Sequence, residues 1–379
     1  MPNTPAILIA PNALKGSLSA PAAARAIAAG VHRALPGAQL CLLPVADGGD
    51  GLLEVLEEAL AGKRVTARVH GPLGTLLDAH YIYVPDRRLA LLEMARVAGL
   101  ALLEPTQYDP LRASTRGLGE LVHATLERGA EEILIGIGGS ATNDGGIGMA
   151  AALGARFLDE AGQPVEPLAG NLVRIQRIDT GGLDPRLRHT RIQVICDVDN
   201  PLLGARGATR VFGPQKGAGP TELERLEAGL THLADLIEDQ LGITVRDRPG
   251  AGAAGGLGAG ALAFLCAELR PGTELVLELL DFEAALRDAD LVITAEGRLD
   301  SQTLGGKAPA VVAKRAAARG IPCLALAGEL CVEPDALRAA GFTAWASTRP
   351  PDMSVADSMV RAERLLAAAA ARLMRNFLP

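Results

Sequence analysis

Five segments of the chain gather residues able to hold or move a charged group. In Pro11–Ser17 (PNALKGS), Lys15 supplies a point charge suited to a phosphate or carboxylate. Ser17 and Ser19 beside it offer hydroxyls, although either could simply cap the next helix. In Ala46–Gly51 (ADGGDG), Asp47 and Asp50 flank two glycines. Such a pair could bind Mg²⁺ or take a proton from a substrate hydroxyl. A tight turn with a capping Asp explains one of them well and the pair less well. In Gly136–Gly146 (GIGGSATNDGG), the backbone N–H groups around Gly138 and Gly139 can form a nest for an anion, helped by the following helix. Ser140, Thr142 and Asn143 add hydroxyl and amide donors there, and Asp144 a carboxylate.

The fourth segment, Cys196–Gly204 (CDVDNPLLG), sets Asp197 and Asp199 at the end of an apolar run. Carboxylates buried in such a place need a cation, a hydrogen-bond partner or water. Mg²⁺ held by one or two carboxylates and phosphate oxygens is the usual arrangement in phosphoryl transfer. A turn begun by Asp199, Asn200 and Pro201 is the plainer alternative. Lys216, in the FGPQKGAG stretch that follows, either neutralises a phosphate or lies exposed as most lysines do. The fifth segment, Ala295–Lys307 (AEGRLDSQTLGGK), brings Glu296, Arg298 and Asp300 together. An Arg there can clamp a carboxylate with two parallel bonds, and an internally salt-bridged turn fits equally well. The Pro11–Ser17 loop is not a Walker A sequence, since KGS lacks the preceding glycine spacing. The glycines of Gly250–Ala261 could cap a helix beside a nucleotide or serve close helix packing.

The elements behind the loops are strands and Ala-rich helices in alternation. Strands are expected at Ala6–Ala10, Gln39–Val45, Leu291–Gly297, Pro322–Gly328 and Phe342–Ser347. Helices are expected at Ser19–Leu35, Leu52–Leu60, Lys307–Arg319 and Val355–Asn376, with a short one ending near Gly341. Strands apolar throughout argue for a parallel sheet covered on both faces. From Val65 to Leu92 the text reads as successive short strands, some of them antiparallel. Further strands are expected at Glu132–Gly138 and Ile192–Val198, with helices at Gly119–Arg128, Gly146–Leu153, Pro220–Leu241 and Gly256–Leu269. The fold class is therefore α/β with two domains. One is a Rossmann-like parallel three-layer sandwich built from both chain ends, residues 1–70 and 280–379. The other is an inserted mixed-sheet α/β domain, residues 71–279. Ligands of open α/β sheets bind at the carboxyl ends of strands, where all five loops fall.

Composition narrows the function. Of 379 residues, 49% are hydrophobic, enough for two cores, and a net charge of −7 with interspersed signs leaves no basic stripe. Aromatics at 3% offer few stacking platforms, so a nucleic-acid partner is not expected. The five cysteines are scattered and odd in number, which suits a reducing compartment. No HExxH or similar spacing points to zinc. No basic leader precedes an apolar stretch, and no run approaches the roughly 18 apolar residues of a membrane span, so a soluble cytoplasmic protein is expected. No pattern sets the oligomeric state.

PNALKGSLSA, PVADGGDG, GIGGSATNDGG, CDVDNPL, FGPQKGAG and EGRLDSQTLGGKAP, in this order over nearly the whole length, resemble the bacterial glycerate kinase family of type I. The resemblance implies ATP-dependent phosphorylation of D-glycerate at the C2 hydroxyl to give 2-phosphoglycerate. It also implies Mg²⁺ and two α/β domains with the site in the cleft. Carried onto this chain, Gly138, Gly139, Ser140, Thr142, Asn143 and Lys216 would hold the nucleotide phosphates. Asp197 and Asp199, with Glu296 as a further ligand, would hold the metal. Lys15 and Arg298 would face the glycerate carboxylate or the γ-phosphoryl, with Ser17, Asp50 and Asp300 at the substrate. Asp47 would accept the hydroxyl proton, although Asp47 and Asp197 could exchange roles, and Glu296 or Asp300 could replace either. Asn12 departs from the Asp expected in relatives, which argues against an essential carboxylate there. Two rivals are an NAD-dependent hydroxy-acid dehydrogenase and a non-catalytic organic-acid-binding protein. The first lacks a GxGxxG after the first strand, and the second has no use for clustered carboxylates beside a phosphate nest.

Overall fold

The computed structural model describes residues 5–47 and 51–377. Its strands are β1 (Ala6–Ile9), β2 (Gln39–Leu42), β3 (Lys63–His70), β4 (Leu76–Val84), β5 (Leu89–Glu93), β6 (Glu132–Gly136), β7 (Arg156–Leu158), β8 (Arg177–Asp179), β9 (Arg191–Ile195), β10 (Glu268–Arg270), β11 (Leu291–Leu299), β12 (Cys323–Leu330) and β13 (Ala344–Ser347). Contacts divide the chain into two compact units: Met1–Asp47, Glu54–Leu60 and Gly272–Pro379 form one, and Gly48–Leu53 with Ala61–Pro271 the other.

The first unit holds a five-stranded, all-parallel sheet in the order β13-β12-β11-β1-β2. Its inner strands β1, β11 and β12 are apolar on both faces because both are covered, whereas the edge strand β2 is mostly exposed. Ile7, Ile9, Leu291, Ile293, Leu324 and Leu326 pack against Ala23, Ile27 and Val31 of the helix Ala20–Ala34 and against Leu366, Ala370 and Met374 of Ala362–Phe377. The alternate positions Leu8, Val292 and Ala325 are equally buried, and the helix Ala308–Ala318 lies along β11 and β12. Helices Ala20–Ala34 and Ala362–Phe377 approach so closely that a Cβ on Gly30 would stand 2.8 Å from the Ala370 methyl.

In the second unit a six-stranded sheet runs β10-β9-β6-β5-β4-β3. The first four strands are parallel, while β4 and β3 are antiparallel additions. Leu92, Ile133, Ile135, Ile192 and Val194 bury one face against Leu118, Leu121 and Val122 of the helix Arg116–Glu127. A second core joins Ile147, Leu230, Leu233, Ile237, Phe157 and Phe264, the last two rings meeting edge to face at 5.9 Å.

Three expected elements end elsewhere. The helix expected to reach Leu269 spans Ala253–Phe264 instead, because Cys266 turns the chain with φ +51° and Glu268–Arg270 joins the sheet as β10. The long last helix is interrupted at Arg361, giving Val355–Val360 and Ala362–Phe377. β11 runs on to Leu299 beside β12, so Glu296 and Arg298 are strand residues, not loop residues.

Candidate active site

Chain order along the first sheet reverses between β1 and β11, and the crevice at such a switch point is where open α/β sheets take ligands. The residues following β1 and β2, with the end of β11, furnish a polar group there. The backbone N–H of Asn12 donates to the Ala295 carbonyl (2.8 Å), and its side-chain Nδ2 donates to Asp47 Oδ2 (3.4 Å). Asn12 thus orients the Asp47 carboxylate. Glu296 is only 4% exposed, and burial pushes its carboxyl up, opposed by the Thr303 Oγ1 donor at 2.9 Å and the Lys307 and Lys15 cations. Gly297 lets the β1 loop pass close by, since a Cβ there would stand 3.3 Å from the Lys15 nitrogen.

Other expected members of this group are engaged by local backbone. Ser17 Oγ donates to the Leu14 carbonyl (2.9 Å), closing its own turn, while Ser19 caps the next helix. Asp300 caps the helix Ser301–Leu304, accepting from the N–H groups of Gln302 (3.0 Å) and Thr303 (3.1 Å), and the Thr303 bond holds its carboxyl low. Arg298 lies 3.7 Å from Asp300 and is 60% exposed. Lys15 is exposed. Asp50 lies outside the described residues.

A pocket of about 360 Å³ opens in the second unit at the carboxyl ends of the neighbouring strands β6 and β9. Gly138, Gly139 and Ser140 line it together with Lys216 and Asp197, against apolar walls of Leu100, Ile137, Ile195 and Phe212. Gly139 has φ +71°, which turns the loop and favours glycine at that position. Lys216 is 1% exposed, and Nζ donates to Ser140 Oγ (2.8 Å) and to the Thr142 carbonyl (2.6 Å). Burial lowers its pKa to about 7, against the pull of the Asp144 carboxylate. The lysine is therefore a buried cation under the Gly-rich loop, the opposite of an ordinary surface lysine.

Asp144 is fully buried. Burial raises its carboxyl, while the Thr115 N–H and Oγ1 (both 2.8 Å) and the N–H groups of Gly146 (3.1 Å) and Gly148 (3.4 Å) favour the charge. It knots the loop to the start of the helix Ile147–Ala152. Thr142 and Asn143 are also fully buried but do not line the pocket; Asn143 Nδ2 donates to Thr209 Oγ1 (3.1 Å). The glycines after Gly250 serve packing: a Cβ on Gly255 would collide with the Thr142 carbonyl, and one on Gly256 would lie 3.0 Å from Gly145 Cα.

The premise that Asp197 and Asp199 are buried fails, because β9 stops at Ile195 and both are exposed. Asp199 is met by Arg206 Nη2 at 3.1 Å to each oxygen. Only Asp197 of the two lines the pocket, and Glu296 belongs to the other unit. Among the described residues no three His, Cys, Asp or Glu side chains gather as a metal cage. Sequence reasoning passed over one polar pair: at the end of β5, Arg96 Nε donates to Glu93 Oε2 (2.8 Å), beside the Gly-rich loop. The signal was an acidic residue closing an apolar strand with an Arg three residues on.

The model of the glycerate kinase family matches residues 7–378. The chain belongs to the glycerate kinase family. As a member it is an enzyme of the kinase class, which removes the dehydrogenase and the non-catalytic binder from consideration. It is 47% identical to a glycerate kinase of Halalkalibacterium halodurans over 96% of each chain. To the glycerate 2-kinase of Escherichia coli it is 44% identical, covering 98% of this chain and 99% of that one. A crystal structure of a chain assigned as glycerate kinase 2 from Salmonella typhimurium LT2 superposes with a TM-score of 0.90 at 45% identity, covering 99% of this chain and 98% of that one. No helix among the described residues of this family member is long and apolar enough to cross a membrane.

Proposed function

We propose that the chain transfers the γ-phosphoryl group of ATP to the C2 hydroxyl of D-glycerate, releasing ADP and 2-phosphoglycerate. One observation carries this reading: a buried ammonium, Lys216, sits beneath a Gly-rich loop that lines a pocket with apolar walls. Such a pocket offers the base of a nucleotide an apolar berth and its phosphates a set of fixed donors. The family's name, and that of the E. coli 2-kinase relative, support glycerate as acceptor and C2 as the position phosphorylated. Consumption of ATP and five free cysteines suit the reducing cytoplasm.

The transferred group needs its charge neutralised and its nucleophile held in line. Backbone N–H groups at Gly138 and Gly139, the Ser140 hydroxyl and Lys216 do the first from fixed positions. Mg²⁺ fits Asp197, an exposed hard-oxygen donor on the pocket wall, since this ion is commonly held by one or two carboxylates together with phosphate oxygens. When bound it screens the charge on the phosphate oxygens. Asp47 takes the proton of the C2 hydroxyl, held by the Asn12 amide. Glu296 is less suited to that task because it is more deeply buried. Lys15 and Arg298 supply positive charge at the carboxyl ends of β1 and β11.

The test is ³¹P NMR of the purified protein with ATP, Mg²⁺ and D-glycerate, with L-glycerate and acid-free controls. The expected result is a phosphomonoester doublet, coupled to the single C2 proton. A triplet would move the transfer to C3. Release of ADP without a new phosphomonoester would overturn the choice of glycerate.

A further inference from the structure

Resting on that reading, we propose that Arg96, held by Glu93, binds the carboxylate of the acceptor acid. β5, β6 and β9 are adjacent parallel strands, so their carboxyl ends share one edge of the sheet. The second and third of these ends carry the Gly-rich loop and Asp197. The first carries Glu93 and Arg96.

Two backbone hydrogen bonds fasten the Arg96 segment to the Gly-rich loop. Leu100 N–H donates to the Gly139 carbonyl (2.8 Å) and Ala141 N–H donates to the Ala98 carbonyl (2.8 Å), which together make an antiparallel bridge between Gly99 and Ser140. Arg96 is thereby fixed relative to the groups proposed to hold the phosphates. Its sequence neighbours Met94, Val97 and Ala98 are fully buried, which anchors the short helix Ala95–Ala98 that carries Arg96. Glu93 Oε2 accepts from Arg96 Nε (2.8 Å), and Oε1 accepts from the Leu53 N–H (3.3 Å), just beyond the Ala46–Gly51 loop. One carboxylate therefore meets both the Arg96 guanidinium and the Leu53 N–H.

Glycerate has one charge, and a small acid needs a rigid cation to hold it. A guanidinium fork matches a planar carboxylate, and a fixed fork loses less freedom on binding. Arg96 is 25% exposed and paired at 2.8 Å, whereas Arg298 is 60% exposed and 3.7 Å from its Asp. The comparison favours Arg96 as the anchor.

The experiment measures kcat and KM for both substrates, and the glycerate-to-glycerol selectivity, in the wild type, Arg96→Gln, Arg96→Lys and Glu93→Gln. Urea unfolding and ATP binding of each variant report its integrity. Arg96→Gln is expected to raise the KM for glycerate about 10- to 100-fold, the range of a charged hydrogen bond, and to erase most of the preference over glycerol. The KM for ATP should stay near wild type. Arg96→Lys should restore little, and Glu93→Gln should raise the glycerate KM with kcat near wild type. A rise in the ATP KM with selectivity intact would overturn the proposal in favour of a phosphate contact. Loss of stability with recovery in Arg96→Lys would overturn it in favour of a structural pair. An active wild type with an unchanged glycerate KM in Arg96→Gln would refute this proposal alone, whereas a wild type inactive on glycerate would refute the underlying reading.

Discussion

Replacing Lys216 with Met tests the buried cation directly. The swap keeps much of the side chain's length and removes its charge and its bonds to Ser140 Oγ and the Thr142 carbonyl. Burial takes the lysine from 10.5 in its ordinary state to about 7 in the folded chain. That gap corresponds to about 5 kcal/mol, at about 1.36 kcal/mol per unit. The sign follows from proton counting. Below about 7 both states are charged, and the folded protein bears the full cost of burial. Between about 7 and 10.5 the unfolded chain binds more protons, so wild-type stability rises with pH, and above that the gain is complete. Lys216→Met lacks this dependence, while its lost bonds, each about 1–3 kcal/mol, cost the same at every pH. Urea unfolding at pH 7 and pH 9 should show the wild type gaining about 2–3 kcal/mol on the variant across that interval. At neutral pH the variant should also raise the KM for ATP at least about tenfold, since a charged hydrogen bond to phosphate is lost. A stability difference flat in pH, with an ATP KM within twofold of wild type, would refute the reasoning.

Asp47→Asn should lower kcat by about 10²- to 10⁴-fold with little change in the KM for ATP, measured by coupled ADP release. Asp197→Asn should raise the Mg²⁺ concentration needed for half-maximal rate, while Asp199→Asn, whose partner is the exposed Arg206, should leave that titration unchanged. Gly255→Ala combines φ +68° with a collision against the Thr142 carbonyl. It should destabilise the protein by about 3 kcal/mol or more, seen as a lowered thermal midpoint.

The buried parallel strands were legible because both of their faces are apolar; Ile7, Leu8 and Ile9 lie in an unbroken run that only a covered sheet can use. The loops were legible because small and polar residues interrupt such runs at strand ends. What a single sequence hides is partnership at a distance. The sequence left Lys216 open between a phosphate-binding and an exposed lysine, because its partners Ser140 and Thr142 lie more than seventy positions away. Ser17 and Asp300 drew attention as ligand candidates, yet their oxygens satisfy backbone turns a few residues off. The burial expected of Asp197 and Asp199 failed at a strand end: β9 stops at Ile195, three residues short of Val198, and both carboxylates are exposed. Glu93 and Arg96 were overlooked because they fall just past the Val65–Leu92 stretch that reads as successive strands, outside every loop rich in small and polar residues.

The pairing of β1 with β11 also bears on how the chain is made. Ile7 lies opposite Leu291 in the finished sheet, so β1 leaves the ribosome long before the strand it needs. At about 5–20 residues per second, that wait lasts roughly 15–60 seconds. During it the stretch Ala61–Pro271 is completed and free to collapse on its own contacts, while β1, whose residues Ile7, Leu8 and Ile9 are buried in the finished sheet, lacks its neighbour β11. Closing so long a loop is also slow in refolding, because its entropy must be lost before the pairing stabilises anything. Newly made first units are therefore the population most exposed to aggregation, and the chain's yield in the cell depends on what shields that strand until the last hundred residues arrive.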